Sequence, residues 1–226
     1  MVKLLELFKG TGSFGKAAKK KGWTVVSLDN ETKYNPDIVA DILKWNYKEL
    51  DFIPDVITAS PPCASFSVLA LTRKTKFISS QESGTPGMSS KVRNSDTMKA
   101  LGPSAFLGDK LLKRTIEIIN YFRKKNPKLK FVMENPRGSM YKSPLMVKLR
   151  PYEESVTYYC FYRDTRTKRT SFFNNFNLKL REGSCRGTGG DMTKGAGLLP
   201  LCKRYAIPQT LITSIFKQME NNKIKS

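Results

Sequence analysis

"KLLELFKGTGSFGKAAKKKG" (residues 3–22) is the segment that most clearly indicates the fold class of this chain. Its first residues, 3–8, are mainly apolar and predict a buried strand, and a helical pattern closes the stretch. Between the two lie glycines in the spacing GxGxxG, at Gly10, Gly12 and Gly15. A strand, a glycine turn and a helix in this order are typical of an α/β fold whose turn lets a ligand approach the backbone closely.

The rest of the chain repeats this alternation of strand and helix. The first helix is predicted to start at an N-cap, Ser13, and to end just before Gly22. Further strands are predicted at 24–29, 37–41, 55–60 and 129–134, helices at 106–127 and 208–219, and a hairpin at 155–162 and 169–176. Strands that alternate with helices predict a mostly parallel sheet, with the antiparallel hairpin at its C-terminal side.

Two acidic residues follow strands of the predicted sheet. Asp29 ends the second strand, about twenty residues after the glycine turn, where a carboxylate can bind the hydroxyls of a ribose. Asp41 ends the third strand at the same edge. These features predict a nucleoside cofactor, and a tight turn with two solvated acids is the structural alternative. Glycine spacing does not separate NAD from S-adenosylmethionine, but dehydrogenases commonly use a histidine and this chain has none.

The charge balance favours a polyanionic partner. The chain has 226 residues, with 40 Lys and Arg against 19 Asp and Glu, which gives a formal net charge of +21. Such an excess favours nucleic acid through counterion release, although a lysine-rich surface can also serve solubility alone. The length suits a single domain, 1–226, with one substantial core.

Cysteine and histidine usage suggests neither a disulfide framework nor a metal site. The chain lacks histidine, and no CxxC pair occurs among its four cysteines, Cys63, Cys160, Cys185 and Cys202. We therefore expect no metal, no disulfide framework and a reducing, cytoplasmic compartment. No uninterrupted apolar run of about 18 residues and no signal-peptide pattern occur, so we expect neither membrane insertion nor a cleaved leader.

Cys63 lies in "SPPCASFS" (60–67), just past the fourth predicted strand. A lone cysteine is ordinarily a small buried side chain. Here Pro61 and Pro62 end the strand and fix the backbone, so the thiol is presented at the edge of the sheet where ligands bind. Such a position suits a nucleophile.

Three segments resemble motifs of the DNA cytosine-5 methyltransferases, particularly the compact forms in phages and large DNA viruses. They are "LELFKGTGSFG" (5–15), "SPPCASFS" (60–67) and "FVMENPRG" (131–138). The resemblance covers nearly the whole chain except a long loop and residues 182–200. It implies a Rossmann-like class I S-adenosylmethionine-dependent methyltransferase fold, and methyl transfer from S-adenosylmethionine to carbon 5 of cytosine.

The resemblance also implies catalytic roles for three residues. Cys63 would add to carbon 6 of the cytosine, which makes carbon 5 able to attack a methyl group. Glu134 would supply a protonated carboxyl at ring nitrogen 3, and Asn135 would orient this segment. A strand-terminating turn at Glu134 and Asn135 is the structural alternative.

A further cation contacts the base carbonyl in this family, from a Gln-x-Arg-x-Arg strand. The matching region is "YRDTRTKRTSFF" (162–173), where Arg166 and Lys168 keep the alternation on one predicted strand face. We assign Arg166 as the base contact. The family glutamine is missing, so a solvated charged strand edge is the alternative.

For the cofactor, the family pattern maps onto the glycine turn and the ends of the next strands. The residues are Phe8, Gly10, Thr11, Gly12, Asp29, Asn30, Asp41, Ile42 and Pro61. Asp29 would bind the ribose, with Glu31 as a competing ligand, and Asp41 with Ile42 would lie at the adenine. The product would be S-adenosyl-L-homocysteine.

Two segments are candidates for contact with DNA. Residues 71–104 are rich in Ser, Thr, Lys and Gly, and predict a mobile loop of the kind that closes over DNA in the family. Residues 180–202 would form a reduced target-recognition segment, too short for a core of its own. Candidate contacts are Ser65, Ser67, Arg73, Lys74, Lys76, Arg93, Lys168 and Arg186. The DNA is expected as a duplex with a flipped cytosine or as a single strand, because a stacked base hides carbon 6.

Other functions stay open from the sequence alone. An amino-methyltransferase acting on a nitrogen of adenine or cytosine places an aromatic residue after Pro-Pro, where this chain has Cys63. A catalytically silent nucleic-acid-binding homologue is compatible with the departures around Arg166 and in the closing segment. Charge does not separate RNA from DNA. We expect a monomer in the cytoplasm, or in the cytoplasm or nucleus of a host if the protein is viral.

Overall fold

The computed structural model describes residues 1–66, 93–94, 97–185, 203 and 205–224. Within these ranges the strands are β1 Lys3–Leu7, β2 Thr24–Asp29, β3 Ile38–Val39, β4 Val56–Ala59, β5 Lys130–Pro136, β6 Glu153–Tyr158 and β7 Arg169–Asn174. The α-helices are α1 Ser13–Lys20, α2 Pro103–Lys125 and α3 Gln209–Asn221. Short 3₁₀ helices lie at Thr32–Tyr34, Tyr47–Glu49, Met140–Lys142, Pro144–Leu149 and Tyr159–Tyr162.

The described strands form one sheet in the order β3-β2-β1-β4-β5-β7-β6. The pairs among β1 to β5 are parallel, and β7 runs antiparallel to both of its neighbours. This order confirms the expected Rossmann-like class I methyltransferase fold with its C-terminal antiparallel hairpin. Because β1, β2, β4 and β5 run in the same direction, their carboxyl ends meet at one edge of the sheet, where such folds bind ligands.

Helices cover both faces of the sheet. Successive residues of β1 point to opposite sides, so Leu5 joins the core beneath α2 while Leu4 joins the core beneath α1 and α3. Phe14 of α1 and Phe216 of α3 meet on the second side, with ring centroids 6.1 Å apart. Burial on both faces explains why the parallel strands read as nearly continuous apolar runs. Among the described residues, no helix has the length and apolar character needed to cross a membrane.

The glycine turn differs from the prediction at one position. Helix α1 begins at Ser13 itself, and Gly12 takes the N-cap position with a φ of 68°. The predicted N-cap at Ser13 is therefore wrong, because Ser13 is already the first residue of the helix. Glycine adopts the left-handed conformation of the N-cap position without the steric cost that serine would meet there. The Ser13 hydroxyl instead accepts a hydrogen bond from the backbone N–H of Ile207 at 3.0 Å, which ties the turn to the C-terminal segment.

A disulfide bond joins Cys160 and Cys185, which corrects the expectation that the cysteines suggest no disulfide framework. The segment after β7 lies beside β6, where the Thr157 hydroxyl donates to the carbonyl of Arg181 at 2.7 Å. This return of the chain brings the Cα atoms of the two cysteines to 6.3 Å. Their separation of 25 residues carries no local signal, which is why the sequence did not indicate the pair.

Candidate active site

A cleft of about 330 Å³ lies at the carboxyl ends of β1, β2, β4 and β5. Its walls bring together many of the residues predicted for cofactor binding and catalysis: Phe8, Gly10, Thr11, Asp29, Asn30, Pro61, Cys63, Glu134 and Lys168. Its volume falls in the range of small-molecule sites. Segments far apart in the chain therefore meet in one place, as the parallel sheet requires.

The glycine turn and Asp29 hold each other in place. The backbone N–H of Gly10 donates to Oδ2 of Asp29 at 2.8 Å, and the N–H of Glu31 donates to Oδ1 at 3.0 Å. An ionised carboxylate has about four lone-pair positions, so two of them stay free for further donors such as ribose hydroxyls. The Glu31 side chain pairs with Lys33 at 2.7 Å and is half exposed.

Glu6 lines the same cleft and was missed by the sequence analysis. Its Oε1 accepts a hydrogen bond from the backbone N–H of Gly15 at 3.0 Å, and its Oε2 is buried without a hydrogen-bond partner among the described residues. Burial raises the pKa of Glu6 from 4.5 to about 7, against the lowering effect of the Gly15 N–H. The sequence does carry a signal for this residue, because Glu6 is a carboxylate inside the otherwise mainly apolar strand "KLLELF" (3–8).

Cys63 lies in a turn that follows β4 and is fixed at several points. The N–H of Phe66 donates to the carbonyl of Cys63 at 2.9 Å, and the Asn135 side chain donates to the carbonyl of Pro61 at 3.0 Å. The thiol is half-buried and makes no disulfide. Burial raises the pKa of Cys63, the charge of Glu134 raises it further, and the charge of Lys168 lowers it.

Glu134 enters the cleft from β5 with two donors on one oxygen. The hydroxyl of Tyr159 lies 3.3 Å from Oε1 of Glu134, and Nζ of Lys168 lies 3.4 Å from the same atom. Burial, with the charge of Glu134, raises the pKa of Tyr159 well above its usual value. The hydroxyl therefore stays protonated and donates a hydrogen bond to Oε1 of Glu134. Within the described part of the chain, no hydrogen bond reaches Oε2 of Glu134.

Arg166 does not line the cleft, unlike Lys168. Its guanidinium pairs with Asp164 and donates to the carbonyls of Lys203 at 2.6 Å and Ala206 at 2.8 Å. Burial would raise the pKa of Asp164, but the hydrogen bonds from Arg166 outweigh it and lower that pKa. Strand β7 starts only at Arg169, so the alternation predicted for Arg166 and Lys168 on a strand does not apply.

The other predicted residues lie around the cleft or elsewhere. Three of the predicted residues are buried and are not among the cleft's lining residues: Gly12, Ile42 and Asn135. Asp41 is exposed, and its carboxylate accepts the N–H of Leu43 at 2.9 Å. Ser65 and Arg93 are only 2% and 1% exposed and bind each other, so both pack inside the protein here, and their contact with nucleic acid stays a prediction. Ser67, Arg73, Lys74, Lys76 and Arg186 lie outside the described residues, as do most of 71–104 and 180–202.

No group of three or more metal-binding side chains occurs among the described residues. The donors that line the cleft are backbone N–H groups, carboxylates, a thiol and lysines. This set suits a nucleoside cofactor and a polar ring substrate, because it offers carboxylates for hydroxyls and amines and cations for carbonyl oxygens.

Comparison with known proteins agrees with the motifs. No protein-family model matches the chain. It is 34% identical over 168 residues to a Frog virus 3 protein named "Probable DNA (cytosine-5)-methyltransferase". The alignment covers 72% of this chain and 65% of the viral protein, so the chain spans less than two thirds of its relative's length.

Solved structures give weaker likenesses. The Spodoptera frugiperda DNMT2 is 20% identical, with 81% of this chain and 54% of that chain covered and a TM-score of 0.49. The S. pombe Dnmt2 methyltransferase is 14% identical, with 80% and 51% covered and a TM-score of 0.47. Because these scores lie below 0.5, the fold assignment rests on the strand order. The sequence similarity to the viral protein confirms that this chain resembles the DNA cytosine-5 methyltransferase family, as its three motifs indicate.

Proposed function

We propose that this protein transfers a methyl group from S-adenosylmethionine to carbon 5 of cytosine in DNA, through a covalent adduct with Cys63. The observation that supports this most is the meeting of Cys63, Glu134 and Lys168 in one cleft with the glycine turn and Asp29. The similarity to the viral protein named as a DNA cytosine-5 methyltransferase adds to it. The product would be S-adenosyl-L-homocysteine.

The residues at the glycine turn fit the cofactor. The turn holds Gly10 and Gly12 at positive φ, which leaves the backbone open to close approach. Asp29 has two lone-pair positions left for the ribose hydroxyls after it accepts from Gly10 and Glu31. S-adenosylmethionine would supply an electrophilic methyl group at this edge. Pro61 and Cys63, which line the same cleft, would then face the reacting carbon.

Cys63 acts as the nucleophile in this proposal. The thiolate attacks, not the thiol, and burial with the charge of Glu134 keeps the Cys63 pKa above its ordinary value. Lys168 opposes this effect, because its charge lowers that pKa. The thiolate would add to carbon 6 while ring nitrogen 3 takes a proton from Glu134, and the electron-rich carbon 5 would then take the methyl group and leave S-adenosyl-L-homocysteine. Loss of the carbon-5 proton to water, departure of the thiolate and return of the nitrogen-3 proton to Glu134 would restore the ring.

Glu134 and Lys168 would bind the base together. Oε1 of Glu134 is already contacted by Tyr159 and Lys168, so Oε2 would carry the proton that ring nitrogen 3 needs as negative charge develops. Lys168 would contact the base carbonyl, because it lines the cleft, whereas the guanidinium of Arg166 binds Asp164 and the C-terminal segment. We therefore move the base contact from Arg166 to Lys168.

Two cations beside the cleft, the exposed Lys142 and the part-buried Arg137, whose guanidinium also pairs with Glu154, support a nucleic-acid partner. Arg137 directly follows the cleft residue Pro136, and its N–H donates to the carbonyl of Arg169 at 2.9 Å across the sheet. The guanidinium of Arg137 lies 4.0 Å from the ring centre of the exposed Tyr141, and Nζ of Lys142 lies 5.8 Å from the same centre. Cations next to an exposed aromatic ring suit a nucleic acid strand, through phosphate contacts and base stacking.

The same proposal includes the finer points of organisation. Residues 1–226 would form one catalytic domain, with 71–104 as a DNA-contacting loop and 180–202 as a reduced target-recognition segment. The protein would act as a monomer in the cytoplasm or nucleus.

Methyl transfer to matched nucleic acids tests the proposed function. The native protein is incubated with radiolabelled S-adenosylmethionine and either duplex DNA, single-stranded DNA or RNA of the same sequence, and the methylated position is mapped. We expect 5-methylcytosine in DNA, and none with Cys63→Ser. Label on an amino nitrogen, label in RNA alone, or cofactor binding without any transfer would contradict the proposal.

A further inference from the structure

Arg93 is almost completely buried, with 1% of its side chain exposed. Its Nε donates to the carbonyl of Ser65 at 2.9 Å, and its two amino groups donate to the carbonyls of Met98 and Ala105, each at 3.1 Å. An ion pair with Asp109 at 2.6 Å compensates its charge. A buried arginine is costly without such partners, so this position requires the full set of contacts.

The carbonyl that Arg93 binds belongs to the turn that carries Cys63. Ser65 comes two residues after Cys63, and the guanidinium also lies 4.1 Å from the ring centre of the next residue, Phe66. The carbonyl of Phe66 in turn accepts the backbone N–H of Ser139 at 2.7 Å. Arg93 therefore holds the turn from the α2 side, while the segment after β5 holds it from the other.

The packing around this contact leaves little freedom. A Cβ placed on Gly108 of α2 would lie 2.1 Å from Oγ of Ser65 and 3.5 Å from a guanidinium nitrogen of Arg93. Helix α2 can approach the Cys63 turn this closely only because it has glycine there. The positions of Ser65 and Arg93 are thus determined by the helix as well as by each other.

We propose that Arg93 is a positioning residue that holds the Cys63 turn in the geometry needed for attack on the base. This inference rests on the proposed function. The planar guanidinium fork binds Ser65, Met98, Ala105 and Asp109 at once, which a lysine ammonium on a flexible stem does not reproduce. Loss of the fork lets the turn shift, and a misplacement of about 1 Å lowers a rate by roughly 100-fold.

The test compares Arg93→Lys with Arg123→Lys as the matched control. Arg123 also binds main-chain carbonyls, of Leu149 at 3.0 Å and Arg150 at 3.4 Å, but it lies far along α2, away from the cleft. For both variants, the rate of covalent adduct formation with DNA that contains 5-fluorocytosine is measured at saturating S-adenosylmethionine. Cofactor affinity and the melting temperature are measured alongside, as is alkylation of the Cys63 peptide by iodoacetamide, followed by mass spectrometry.

We expect Arg93→Lys to slow adduct formation by about 100-fold, with cofactor affinity unchanged, and Arg123→Lys to stay within about twofold of the native rate. The alkylation rate of Cys63 should change in Arg93→Lys and not in Arg123→Lys. If Arg93→Lys does not fold, Asp109→Asn keeps the fork and removes only its counter-charge, and we expect a smaller loss of the same step.

The inference is wrong if Arg93→Lys forms the adduct at the native rate, or if Arg123→Lys loses as much of that rate as Arg93→Lys does. Either result would leave the proposed function standing. A native protein that forms no adduct would instead contradict the proposed function. The alkylation rates then still decide whether Arg93 positions the thiol, because that measurement needs no DNA.

Discussion

The buried carboxyl of Glu6 makes the stability of this protein depend on pH in a range where few other groups titrate. The folded pKa is about 7, against 4.5 for the free group, so the folded state binds a proton that the unfolded chain has released between these values. Stability is therefore highest below pH 4.5 as far as Glu6 is concerned, and falls as pH rises toward 7. With about 1.4 kcal/mol per pH unit, the loss between pH 5 and pH 8 is roughly 2–3 kcal/mol.

The substitution Glu6→Gln removes this titration while keeping the oxygen that accepts the Gly15 N–H. The new amide N–H₂ would take the place of Oε2, which has no partner among the described residues, so an offset of about 1–3 kcal/mol that does not depend on pH is also expected. The measured quantity is therefore the slope with pH and not the absolute stability. Since the chain has no histidine, no histidine titration overlaps this range.

Urea unfolding at half-unit steps from pH 5 to pH 8 measures this slope for the native protein, for Glu6→Gln and for Glu117→Gln on the surface of α2. We expect the native protein and Glu117→Gln to lose roughly 2–3 kcal/mol across the range, and Glu6→Gln to lose little. Equal slopes in all three proteins would show that burial of Glu6 has no influence on its proton.

Four further substitutions test residues in and beside the cleft. Asp29→Asn should weaken S-adenosylmethionine binding by about 10- to 100-fold in calorimetry, because it removes charge from the acceptor proposed for the ribose, and unchanged affinity would contradict this. Lys168→Met should slow adduct formation by about 10- to 100-fold with little change in melting temperature. Arg166→Met should mainly lower the melting temperature. The reverse pattern would assign the base contact to Arg166. The rate at which iodoacetamide alkylates Cys63 should rise with pH, with a midpoint above the pKa of an ordinary thiol. That midpoint should move up in Lys168→Met and down in Glu134→Gln, because Lys168 lowers the Cys63 pKa and Glu134 raises it.

Local patterns in the sequence predict the sheet and the position of the cleft well. Apolar runs, glycines and prolines act over a few residues, so β1, the glycine turn and the ends of the strands follow from the chain itself. Parallel strands then bring Asp29, Cys63 and Glu134 to one edge, whatever the intervening sequence. The seven-stranded order among the described residues confirms that part of the prediction.

Contacts between distant parts of the chain were not predictable in the same way. Ser65 and Arg93 looked like surface groups suited to phosphates, but they are 28 residues apart and bind each other beneath α2. Arg166 and Lys168 were predicted on one strand face. Instead the chain passes through a 3₁₀ helix before β7 starts, and the Arg166 guanidinium binds the carboxylate of Asp164, two residues earlier in the chain. In each case the partner of a charged side chain decides its role, and sequence periodicity does not identify that partner.

The identity of the atom that joins DNA covalently distinguishes a Cys63 nucleophile from every alternative. The native protein is incubated with S-adenosylmethionine and duplex DNA carrying 5-fluorocytosine, which blocks release after methyl transfer, and the cross-linked peptide is sequenced by mass spectrometry. We expect one adduct, on the peptide that contains Cys63, and none with Cys63→Ser. A cross-link that persists in Cys63→Ser, or methylation of carbon 5 that proceeds without this sulfur, would contradict this expectation.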